Sequence, residues 1–193
     1  VEEATANLGA GFIETGKYEV VFNRDVATSL LQVFCNNFSA EAAIKKSTML
    51  ADKVNQKVFG DNITIIDDPF TDKALFKEAF DDEGVPCKTK KLVENGVFNG
   101  FLHNLKTAQF FNTTSTGNAV GNGVGGINFY IKEGETTKEE MIASLKEGLL
   151  ITSLAGLHAS LNPVSGDFSA QASGYYIKDG KIESGDIAVI DFE

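Results

Sequence analysis

The stretch that most constrains this chain is residues 156–182, GLHASLNPVSGDFSAQASGYYIKDGKI. A Gly-Leu-His step, an Asn-Pro turn and a Ser-Gly-Asp-Phe-Ser turn lead to Ser173-Gly174, and a short aromatic strand then ends at Asp179-Gly180. Glycine and Asn-Pro each impose backbone geometry that other residues resist, so the chain is steered tightly here. His158, Asn162, Asp167, Ser169 and Ser173 crowd polar side chains into the same run. Such density suits either a ligand site or a buried polar network that ties loops together.

A chain of 193 residues with 42% hydrophobic content can bury a proper core. With 15 Phe and no Trp, phenylalanine must supply most of its aromatic mass. A net charge of −10 argues against a nucleic-acid surface, because a phosphate backbone would be repelled. The cluster Lys88, Lys90 and Lys91 reads as a solvated strand edge. Two cysteines, Cys35 and Cys87, cannot build a disulfide framework, and Cys35 falls in an apolar helical pattern as a small core residue. This usage fits a reducing compartment and predicts a cytoplasmic location. No apolar run reaches the length of a membrane span and no signal peptide is recognisable, so no membrane partner is expected. The opening VEEATANLGA resembles a helix end, which makes residues 1–16 the tail of a preceding domain or a linker, and 17–193 the domain proper, a fragment of a longer protein.

Residues 17–22 predict a strand, after which Asn23 caps a helix running to about Phe38. Ser39 caps a second short helix, and Met49, Leu50, Val54 and Val58 suggest a further helical piece stopped by Gly60. Residues 62–66 form a β-branched strand that ends in Asp67-Asp68-Pro69. Asn95-Gly96 joins strands 88–93 and 97–102 in a hairpin. A short helix over 103–111 precedes a Gly/Asn/Thr-rich run, 112–126, which reads as a long flexible loop. That run lacks the GxxxxGK[ST] pattern of a phosphate-binding loop. Strand 127–131, a helix opened by the Thr137/Glu140 capping box, strand 149–154, the Asp179-Gly180 hairpin and strand 187–190 complete the chain. Strands and helices mix without strict alternation, so the class is α+β, with mainly antiparallel sheets, several packed helices and long Gly/Asn-rich loops.

Three chemical constellations can be weighed from the residues alone. His103 and His158 with Asp167 would make a zinc site if the fold joined them, although neither histidine belongs to an HExxH arrangement. Ser169 or Ser173 with His158 and Asp167 would make a nucleophilic triad, although no GxSxG elbow is present. The plainer reading of Ser165-Gly166-Asp167 is an Asx-type turn. Asp81, Asp82 and Glu83 offer adjacent carboxylates for a metal or for acid/base work, against which stands an ordinary solvated turn.

The succession YEVVFNRDVATSLL, TIIDDP, FDDEGVP, ENGVFNGFLHNLKTA, STGNA and residues 156–182 resembles the C-terminal domain of the TldD/PmbA family, in its PmbA (TldE) branch, over residues 18–182. The tail from Glu183 departs from the usual family ending. The resemblance implies a proteolytic system in which a zinc-bearing TldD-type subunit pairs with a PmbA-type subunit to enclose a chamber for unfolded peptides. TldD-type chains carry HExxxH on the helix after the first strand; here that helix reads VATSLLQVFCNNFSAEAA, without histidine. The resemblance therefore implies no catalytic residue and no metal or other cofactor in this chain, with zinc only in a TldD-like partner. It also implies a heterodimer or homodimer. His158, Asn162, Asp167, Ser169 and Ser173 would then shape a substrate surface with the 149–154 strand. Two other readings stay open: a non-enzymatic modulator or binding protein of the kind linked to DNA gyrase, and an autonomous hydrolase using His158.

Overall fold

The computed structural model describes residues 13–74, 76–157, 162 and 164–192, with side chains as far as Glu183. The chain divides into two compact units, and the first contains the described parts of 1–30, 134–162 and 167–193. Its centre is a four-stranded sheet in the order β1 (Glu19–Phe22), β8 (Glu147–Ala155), β9 (Ala170–Lys178) and β10 (Lys181–Phe192). β1 pairs with β8 in parallel, while β8–β9 and β9–β10 are antiparallel.

Side-chain alternation along β8 explains why this sheet carries helices on both faces. Leu149 and Ile151 pack with Ala172 against Val26 and Leu30 of helix α1 (Arg24–Phe34). Leu150 points the other way, to Val21, Ile177 and Ile142 of helix α4 (Lys138–Ser144). The predicted Thr137/Glu140 capping box is present: the Glu140 N–H donates to Thr137 Oγ1 and the Thr137 N–H donates to Glu140 Oε2. The Asp179-Gly180 hairpin is also present, with Asp179 at φ 48° and Gly180 at φ 74°. Ser173-Gly174 lies inside β9. An added Cβ on Gly174 would sit 2.0 Å from the Leu150 carbonyl oxygen, so the two strand backbones approach where only glycine fits.

The second unit holds residues 31–133 with 163–166. Its sheet runs β4 (Val97–Phe98), β3 (Lys90–Glu94), β2 (Ile65–Asp67), β7 (Phe129–Ile131), antiparallel throughout. Asn95 (φ 48°) and Gly96 (φ 81°) make the predicted tight turn between β3 and β4. Phe38, Phe98, Phe101, Leu92, Val93 and Leu102 form the core, with edge-on Phe98–Phe101 rings 4.9 Å apart. The helix expected to reach Phe38 ends at Phe34 and tightens into a 3₁₀ turn, Cys35–Phe38. Ser39 caps helix α2 (Ala40–Ile44), and Asn104 caps helix α3 (Leu105–Phe110).

Two expectations fail here. Residues 49–58 form turns, not a helix: Leu50 is buried, but Val54 and Val58 are exposed, so the apolar period marks no shared face. The 112–126 run contains a hairpin, β5 (Ala119–Val120) with β6 (Gly123–Val124), and its Asn118 is wholly buried. The α+β class and the mainly antiparallel pairing stand as expected.

Candidate functional site

β1 covers only the first half of β8. Its last pair is Phe22 with Ile151, and the Asn23 N–H then donates to the Ile151 carbonyl at 2.9 Å as the chain turns into α1. Residues 152–155 of β8 have no strand beside them on that side among the described residues. Burial follows the same boundary: residues 148–151 are buried, whereas Ser153 and Ala155 are exposed. At Thr152 the β8–β9 register slips, a bulge of the kind that re-aims side chains. Beyond it Leu154, not Ser153, joins Val26 and Ile151.

A pocket of about 200 Å³ lies between this run and the start of α1. Among the described residues it is lined by Asp25, Val26, Ser29, Thr152, Ser153 and Leu154. Asp25 and Ser29 are four residues apart and so share one helix face. The Ser29 hydroxyl donates to the Asp25 carbonyl at 2.9 Å. The Thr152 hydroxyl donates to the Ser173 carbonyl at 3.3 Å. The Asp25 side chain is 84% exposed, with Arg24 Nε at 3.9 Å from its carboxylate.

Of the residues predicted to bind substrate, Ser173 is joined to this pocket, through the Thr152 bond and its register with Ser153. Asn162 donates its N–H to the Asp167 carbonyl at 2.8 Å, closing a turn that contains Gly166 at φ 83°. Ser169 is exposed just before β9. His158 lies outside the described residues, so the zinc and triad constellations that include it have no described geometry. His103 is buried with its Nδ1 unbonded and its ring edge-on to Phe111; burial holds its pKa below the usual histidine value. Asp25, Ser29 and Thr152 were missed, yet two polar residues interrupting the apolar 149–154 strand were a visible signal.

The Asp81, Asp82 and Glu83 carboxylates serve as tethers. Asp81 accepts from the N–H groups of Glu83, Val85 and Ala119, Asp82 from Gly121 at 2.6 Å, and Glu83 from Leu105 at 2.7 Å. Among the described residues no three His, Cys, Asp or Glu side chains are grouped to hold a metal. α1 itself offers Asp25, Thr28, Ser29 and Gln32, a single carboxylate with no histidine or cysteine beside it, a set that does not fit zinc. No helix of the described residues is long and apolar enough to cross a membrane.

Comparison with known proteins agrees with this architecture. The family model described as the PmbA/TldA metallopeptidase C-terminal domain matches residues 15–186. The metalloprotease PmbA homolog of Buchnera aphidicola subsp. Baizongia pistaciae is 30% identical over 184 residues, covering 94% of this chain and 40% of that protein. The metalloprotease PmbA of Escherichia coli O157:H7 is 29% identical over 172 residues, covering 89% and 37%. A crystal structure from Thermotoga maritima, of a candidate modulator of a DNA gyrase, superposes with a TM-score of 0.91 at 36% identity, covering 96% of this chain and 43% of that one. TldE from Thermococcus kodakarensis gives 0.79 at 30% identity, covering 96% and 44%. The chain thus spans between 37% and 44% of the length of these relatives. By its sequence and by its fold, the chain belongs to the PmbA/TldD family, as that family's C-terminal domain.

Proposed function

We propose that this domain is the peptide-docking part of a PmbA-type subunit, holding extended, unfolded polypeptide for a zinc-bearing TldD-type partner to cut. The observation that carries this reading is the open run of β8, residues 152–155, beside a polar pocket. An extended peptide can add itself there as a strand: main-chain hydrogen bonds give affinity, and pockets for alternate side chains give selectivity. In this reading the chain's own residues bind and orient. Strand addition fixes the peptide's direction, and the pocket fixes its register. The chemistry that zinc supplies, polarising the scissile carbonyl and activating water, belongs to the partner subunit. A cytoplasmic setting, where unfolded chains arise, suits this role.

Purification of the full-length protein from its own cells tests it. Co-elution of a stoichiometric chain carrying HExxxH, with peptide cleavage only when both are present, is the expected result. Elution alone as a homodimer, with cleavage by the single protein, would sink the paired-subunit reading in favour of an autonomous hydrolase. Stoichiometric binding to gyrase without turnover would favour the modulator reading, for which the Thermotoga maritima relative's description and the net charge of −10 speak.

A further inference from the structure

We infer that the pocket between α1 and the open run of β8 takes a cationic side chain, Lys or Arg, from the docked peptide. This rests on the docking reading above and adds a substrate class to it. At about 200 Å³ the pocket is smaller than the roughly 300–1,000 Å³ of a small-molecule site, and suits a single side chain. Its polar groups are matched to donors. The Ser29 and Thr152 hydroxyls already spend their protons on the Asp25 and Ser173 carbonyls, so both turn lone pairs to a ligand. Asp25 adds a carboxylate, which only accepts while ionised. Val26 and Leu154 supply an apolar wall for a methylene stem, leaving its charged head at the solvent side with Asp25. An ammonium or guanidinium carries donors alone and so complements this set. The chain's charge of −10 also attracts cationic peptides over distance. Arg24 is the competing cation, 3.9 Å from Asp25 and itself 93% exposed.

The test uses full-length protein and fluorescein-labelled, end-capped Ala/Ser/Thr decapeptides that differ in one central residue: Lys, norleucine or Glu. Fluorescence anisotropy should show the Lys peptide binding about fivefold tighter than norleucine, the size set by an exposed ion pair, with Glu weakest. Asp25→Asn should bring Lys down to the norleucine level and leave norleucine unchanged. Arg24→Gln should strengthen Lys binding by removing the competitor. If the three peptides bind alike, or Asp25→Asn keeps the Lys preference, the cation pocket is overturned and strand docking survives. If none of the peptides binds, the docking reading falls and the pocket falls with it.

Discussion

Asp67 and Asp25 show how differently the two units use a carboxylate. Asp67, fully buried, receives Ile127 and Asn128 N–H groups at 2.7 and 3.1 Å, Asn118 Nδ2 at 2.7 Å and Lys90 Nζ at 3.3 Å. Every lone-pair direction is answered from within the unit, and partners up to 61 residues away are pinned to the end of β2. Asp25 is 84% exposed beside an open strand edge, with one weak contact to Arg24. A saturated polar group holds a fold together, whereas an unsaturated one is available to a ligand. The 61–133 loops of the second unit therefore read as structure, and the α1–β8 margin of the first as the place to look for binding.

The strongest way to break this contrast is Asp67→Ala. It takes the counter-charge from the Lys90 ammonium, which keeps only the Thr116 carbonyl, and the acceptor from the Ile127 and Asn128 N–H groups, and removing one partner of a buried pair costs about 3–5 kcal/mol. Urea unfolding should show that loss, while peptide binding by the folded fraction stays as in the parent protein; a loss below about 1 kcal/mol would show that the network does not hold the loops. Next is Gly174→Ala. Its Cβ would press on the Leu150 carbonyl and force β9 from β8, with a cost of about 1–3 kcal/mol or more. Because that contact lies just behind the Thr152 bulge, this variant should also weaken peptide binding, which Asp67→Ala should not. Thr137→Ala, which removes the α4 cap, should cost about 1 kcal/mol by the same unfolding measurement and leave docking untouched.

The smallest effect is one of titration. Tyr176 donates its hydroxyl to the Glu147 carboxylate, and that bond holds its pKa up to about 12. A raised pKa means that the contact is fully present below the unfolded value near 10 and fades as pH climbs toward 12. Absorbance titration should show one late phenol, absent in Tyr176→Phe.

Much of the fold was legible because its signals are local. Asn95-Gly96, Asp179-Gly180, Ser39 and the Thr137/Glu140 box each set backbone geometry within a few residues, and each stands where it was expected. What failed was decided at a distance. Residues 49–58 carry a helical apolar period, but Leu50 and the half-buried Met49 reach the core of Phe38 and Phe98 while Val54 and Val58 stay outside. The 112–126 run looks loose by composition, yet Asn118 is locked by Asp67, 51 residues away. The candidate site was half visible for the same reason. Ser173 stood in the run that drew attention, whereas Asp25 and Ser29 join Thr152 only because β1 ends where α1 begins.

The most direct measurement is hydrogen–deuterium exchange on the full-length protein, with and without a saturating end-capped Lys decapeptide. Slowed exchange is expected to concentrate in residues 152–155, with the Asn118 and Asp67 region unchanged. Peptide binding without protection in 152–155, or with protection only in the second unit, would contradict it.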